Sequence, residues 1–92
     1  MDEREMMAVV ESILFVSGDP VDVKEIGLLL DMDVRTVRKF MKKLMDCFHF
    51  ERRGLQVIMV NDTYQLATRP EYSGYIEEYI GQQQTQKLSQ AS

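Results

Sequence analysis

Residues 34–68 read VRTVRKFMKKLMDCFHFERRGLQVIMVNDTYQLAT. The apolar period changes once within this stretch. Over residues 34–48, Val34, Val37, Phe40, Met41, Leu44, Met45 and Phe48 recur at helical spacing and fall within an arc of about 140°. Arg35, Arg38, Lys39, Lys42 and Lys43 occupy the opposite arc. From Gly54 onward the period is two. GLQVIMV and YQLAT read as strands, with Asn61-Asp62-Thr63 as the turn between them. Leu55, Val57 and Met59 share one face of this hairpin, where Tyr64 and Leu66 can pair with them. Ile58 and Val60 point the other way and are also apolar, so the ribbon calls for cover on both faces.

The preceding segments supply the rest of the fold. Asp33 is placed to cap the helix over 34–48, after the tight turn Asp31-Met32-Asp33. Asp22 and Glu25 match a capping box for a short helix whose apolar face is Val23, Ile26, Leu29 and Leu30. Ser17-Gly18-Asp19-Pro20 is a turn signal. Residues 3–17 suit a helix with Met6, Val9, Val10, Ile13 and Leu14 at helical spacing. Met7, Ala8, Phe15 and Val16 lie on its other faces, leaving only a narrow polar sector around Glu11 and Ser12. A helix apolar nearly all round must be buried nearly all round, and a small domain has little material to do it. The surplus points to a partner. Beyond the hairpin, Thr68-Arg69-Pro70-Glu71 has the pattern of a helix start with a capping Thr. Tyr72, Tyr75, Ile76, Tyr79 and Ile80 form a stripe along that helix. After Gly81 the sequence loses apolar periodicity and reads as a linker or frayed tail. The order is helix, helix, turn, helix, hairpin, helix. This is a mainly α chain with a small β-hairpin: a winged helix, with a helix-turn-helix, a two-stranded wing and a C-terminal helix.

Composition sets the outer bounds. Ninety-two residues make one domain the natural expectation, with one modest core. The 45% hydrophobic and 28% charged fractions are those of a soluble globular protein. No apolar run approaches the roughly 20 residues of a membrane helix. The start MDEREMM is acidic, unlike a signal or transit peptide. A single cysteine, Cys47, excludes an intramolecular disulfide and fits a reducing compartment, so the expected location is the cytoplasm. Charge is unevenly spread. Residues 34–53 carry seven basic against two acidic residues, whereas the remainder carries four against thirteen. Positive charge therefore sits on one segment of an acidic body.

Catalysis finds little support. The chain has one His, one Cys, no GxSxG, no phosphate-cradling glycine loop and no Cys/His spacing for zinc, so no cofactor or metal is expected. His49 reads as a helix-end histidine near the terminal carbonyls. Cys47 reads as a buried or half-buried small apolar residue. Nucleic-acid binding is the serious alternative, as a winged-helix transcriptional regulator using the basic helix 34–48. Arg35, Thr36, Arg38 and Lys39 would read bases, and Lys42 with Lys43 would meet phosphates. Two features argue against it. The wing tip presents Asn61, Asp62 and Thr63 in place of basic residues, and the acidic remainder repels a phosphate backbone.

ESILFVSGDPV, VRKFMKKLMDCF, RRGLQVIMVNDTYQLATRPEY and the closing KLSQAS together resemble the N-terminal part of the ScpB family, the bacterial segregation and condensation protein B. The resemblance covers residues 5–92, with Ser12 standing where the family tends to a small residue such as Ala. LFVSGDP and the GLQ…YQLATRPEY hairpin are its most specific pieces. KLSQAS resembles the start of that family's second winged helix, which divides the chain into a winged helix over 1–81 and a linker or truncated second domain over 82–92. The resemblance implies a non-enzymatic accessory subunit of the SMC–ScpA complex in chromosome condensation and segregation. It further implies a homodimer that binds the kleisin ScpA and, through it, SMC, in a nucleoid-associated cytoplasmic assembly without membrane contact. The candidate self-association surface is Met7, Phe15, Val16, Ile58 and Val60, chosen for surplus apolar surface. The candidate basic partner-binding face is Arg35, Arg38, Lys39, Lys42 and Lys43.

Overall fold

The computed structural model describes the backbone of residues 1–91 and the side chains of residues 1–83. Helix α1 spans Glu3–Ser17, strand β1 Val21–Asp22, α2 Val23–Leu30, α3 Val34–Phe50, β2 Leu55–Val60 and β3 Thr63–Thr68; a 3-10 turn over Pro70–Tyr72 leads into α4, Ser73–Ala91. This is the winged helix read from the periodicity. Strand β1 joins the hairpin to make three antiparallel strands in the order β1-β3-β2, with Val21 opposite Tyr64 and Val57 opposite Leu66.

The helices begin and end where short polar side chains can serve their backbones. Asp2 accepts from the Glu5 amide at 2.8 Å and caps α1, which stops at Gly18 in the left-handed region. Asp22 and Glu25 form the expected capping box on α2. Asp31 closes α2 at φ 56°, and Asp33 opens α3 by accepting from the Thr36 amide at 3.0 Å. The helix-turn-helix corner is tight. The Met32 amide donates to the Gly27 carbonyl, and a Cβ on Gly27 would stand 2.7 Å from the Met32 carbonyl oxygen. Only glycine allows that approach.

The core lies where α1, α2 and α3 meet one face of the sheet. Val10 and Leu14 of α1, Val23 and Ile26 of α2, and Val37, Phe40, Met41, Leu44 and Phe48 of α3 close over Val57 and Tyr64. Each of the larger side chains contributes roughly 1.5–3 kcal/mol by leaving water. The apolar arc of α3 is thus the floor of the domain, and its basic arc faces solvent.

The C-terminal segment departs from the sequence reading at two points. Thr68 does not cap. Arg69 stands at the cap position without a side-chain cap bond, and the helix enters through a 3-10 turn begun by Pro70. The helix also runs on through Gly81 to Ala91, across the stretch read as a linker or tail; Ser92 lies outside the described residues. Away from its 3-10 root, α4 packs little against the body, and the molecule is 55 Å long against 26 and 25 Å across.

Candidate interaction surfaces

The basic face of α3 is partly spent inside the domain. Arg38 makes a two-pronged pair with Asp62 at the wing tip, with its terminal nitrogen 3.0 and 3.1 Å from the two carboxylate oxygens. The Asp62 carbonyl accepts from the Val23 amide at 2.8 Å, so the tip is tied to the start of α2 as well. The turn can make this contact because Asn61 adopts the left-handed region and the loop is only two residues long. Tyr64, in the core just behind, has its hydroxyl pKa raised mainly by burial, with Arg38 opposing and Asp62 adding. Lys43 pairs with Glu3 of α1 at 3.3 Å. Arg35, Lys39 and Lys42 are exposed and make no ion pair among the described residues. Three of the five candidate basic residues are therefore available to a partner, and Arg38, the central base-reading candidate, is engaged by its own wing.

The end of α3 carries a second cluster. Arg53 lies over the Phe48 ring at 4.7 Å and reaches Glu51 at 2.8 Å and Glu11 of α1 at 3.3 Å. The bond to Glu51 is the main reason its pKa is raised above the ordinary guanidinium value. It roofs a groove between α1 and α3 lined by Arg4, Met7, Ala8, Leu44 and Cys47. Cys47 is exposed there, in contrast to the buried or half-buried position read from the sequence, because it sits beside the apolar arc of α3 and not within it. Among the described residues no group of three or more His, Cys, Asp or Glu side chains is placed to hold a metal ion. No described helix is long and apolar enough to cross a membrane.

Arg69 escaped the sequence reading. It is 7% exposed, donates to the Phe48 carbonyl at 3.0 Å, and leaves Nε without a partner. Its backbone amide donates to the Gly54 carbonyl, so the residue joins the end of α3, the start of β2 and the root of α4.

The candidate self-association residues divide. Phe15 and Val16, at the end of α1, are 74% and 81% exposed, and Val60 is 60% exposed. Ile58 is half-buried on the sheet face opposite the core. The end of α1 and the wing are linked through Gly18, whose carbonyl accepts from the side-chain Nε2 of Gln65 at 3.4 Å, and Gln65 is the cross-strand partner of Ile58. Met7 sits two turns back along α1, half-buried against the core in the α1–α3 groove, apart from the others. The aromatic stripe of α4 adds a surface absent from the sequence-derived set: Tyr75 is 75% and Tyr79 60% exposed, with Ile80 beside them. Leu28 and Phe50 are also exposed, but neither belongs to these two patches.

The fold and these surfaces define a winged-helix domain whose basic helix has Arg38 and Lys43 paired within the domain and whose surface carries uncovered apolar patches. A family model described as segregation and condensation complex subunit ScpB matches residues 8–92, and the chain belongs to that family. Segregation and condensation protein B of Alkaliphilus metalliredigens is 38% identical over the whole chain, and that of Alkaliphilus oremlandii 33%. The chain spans about half the length of these relatives, 48% and 50%. Among solved structures, a dimer of an ScpB N-terminal domain complexed with ScpA peptide superposes with a TM-score of 0.76 at 25% identity, over 83% of this chain and 95% of that one. ScpB from Mycobacterium tuberculosis superposes with a TM-score of 0.79 at 20% identity, over 87% of this chain and 50% of that one, a likeness of fold.

Proposed function

We propose that residues 1–81 form the N-terminal winged-helix module of an ScpB-type subunit, with residues 82–92 leading toward a second such domain. The module acts without catalysis in chromosome condensation and segregation, as a cytoplasmic, nucleoid-associated scaffold. It associates with a second copy and supports binding of the kleisin ScpA, through which it joins SMC. The observation that carries this reading is the uncovered apolar surface at the end of α1 and on the wing, in a domain whose relative was solved as a dimer with ScpA peptide. The exposed Arg35, Lys39 and Lys42 are offered to acidic segments of the partner subunits. The acidic remainder of the chain counts against the rival reading as a DNA-binding regulator, and the exposed Arg38–Asp62 pair adds a cost of at most about 1 kcal/mol to base contact.

Sedimentation of the chain alone and with ScpA tests the proposal. A dimer at tens of micromolar, shifting to a larger species when ScpA is added, is expected. A strict monomer would remove the self-association claim, and no shift with ScpA would remove the kleisin claim.

A further inference from the structure

We infer that the dimer is built by exchange of arms: α4 of each copy lays its Tyr75, Tyr79 and Ile80 stripe on the Phe15, Val16 and Val60 patch of the other. The inference rests on the self-association proposed above and names the surfaces that make it.

Two uncovered apolar surfaces of similar size lie on different elements. The exposed parts of the stripe amount to on the order of 300–400 Å² of apolar surface, given that an aromatic side chain can bury about 150–250 Å². The patch amounts to a similar area on the same reasoning. A stable interface buries about 800 Å² on each partner. Neither surface reaches that alone, and the two together approach it. A dimer made stripe to stripe would leave both patches in water, and one made patch to patch would leave both stripes. In a two-fold dimer, stripe against patch occurs twice, and all four surfaces are covered by one operation. The stripe can reach a neighbour because α4 packs little against its own body beyond the 3-10 root. Its root is anchored, since buried Arg69 ties it to the end of α3 and to Gly54. The occupant is a second copy because the solved dimer of an ScpB N-terminal domain matches this chain over 95% of its own length, so a domain of this size suffices for the contact. At roughly 100° per residue Glu78 flanks the stripe about 60° beyond Tyr75, and Glu77 about 60° beyond Ile80, so the carboxylates stand at its rim and not at its centre.

The test uses two variants of the whole chain, both changed only at exposed positions: an arm variant, Tyr75→Glu with Tyr79→Glu, and a patch variant, Phe15→Glu with Val16→Glu. Circular dichroism and thermal melts establish that each stays folded. Each variant alone is expected to dissociate at least about 100-fold more readily than the parent, as loss of central aromatic contacts does. Mixed together they should form a heterodimer, because the patch variant keeps its good arm and the arm variant keeps its good patch, so that one of the two contacts is intact. If mixing restores no dimer, or if the arm variant dimerises like the parent, the exchange is wrong while self-association stands. If the parent chain itself is a monomer, self-association falls and the exchange falls with it.

Discussion

Gly27 shows how much a single residue sets at the helix-turn-helix corner. Its place inside α2 costs helix stability, because glycine is about 1 kcal/mol poorer than alanine in a helix interior. The corner needs it nonetheless. A Cβ there would meet the Met32 carbonyl oxygen at 2.7 Å and the Val37 side chain at 3.4 Å, and the first contact is backbone with little room to shift. Gly27→Ala should therefore destabilise the chain by about 1–3 kcal/mol, the cost of overpacking a tight site, in spite of the better helix former. Urea unfolding measures this. A neutral or stabilising result would mean that the turn opens freely, and the two helices would then have no fixed crossing. Periodicity and capping give no reason for Gly27, because the atom it accommodates belongs to Met32, on the far side of the turn. Arg69 was unreadable for the same reason. Its setting, Thr-Arg-Pro-Glu, has the pattern of an ordinary helix start, and the carbonyl that holds it lies 21 residues earlier.

At the scale of elements, legibility follows the strength of the local signal. Helices α1, α2 and α3 were legible because their apolar periodicity and their capping carboxylates agree. The hairpin was legible from alternation. Strand β1 was not, since two residues carry no period, and it exists only because Val21 finds Tyr64 across the sheet. Helix α4 beyond Gly81 has no stripe to read. The pair between Arg38 and Asp62, which alters the meaning of the basic face, joins residues 24 apart on two elements whose relative placement only the fold supplies. The cap of α3 makes a testable case. The carboxyl of Asp33 has its pKa lowered, first by its hydrogen bonds with Thr36; desolvation opposes them, and the backbone of Asp33 and, last, the charge of Arg35 add to the lowering. A lowered folded-state pKa contributes stability above the unfolded value, about 3.9, and loses it as pH falls through the folded value. Thermal melts at pH 7 and near pH 3 should show a larger drop for the parent than for Asp33→Asn, because asparagine caps about equally well and does not titrate in that range. Equal drops in both would assign the acid sensitivity to other carboxylates.

For the whole molecule, the question is which force would bring two copies together in the proposed dimer. The chain carries a net charge of −4, so two copies repel at long range, and the residual basic face of Arg35, Lys39 and Lys42 is too small to reverse that. The surfaces free to associate are apolar: the end of α1, the wing and the α4 stripe. Apolar association is insensitive to screening, whereas the mutual repulsion of the acidic bodies weakens as salt rises. The dimer dissociation constant should therefore stay constant or tighten by a few-fold between about 50 and 500 mM NaCl, where the Debye length falls from about 14 to about 4 Å. Dilution calorimetry at several temperatures should give a negative heat-capacity change of association, the signature of apolar burial. Binding of duplex DNA through the basic helix would behave oppositely, losing affinity steeply over the same range as the entropy gained by releasing counterions shrinks. A tenfold or greater loss of self-association with salt would contradict the apolar assignment, because it would require the free arginine and lysines of α3 to meet the acidic surface of the other copy, and the winged helix would then be using the face of a DNA reader to hold its own kind.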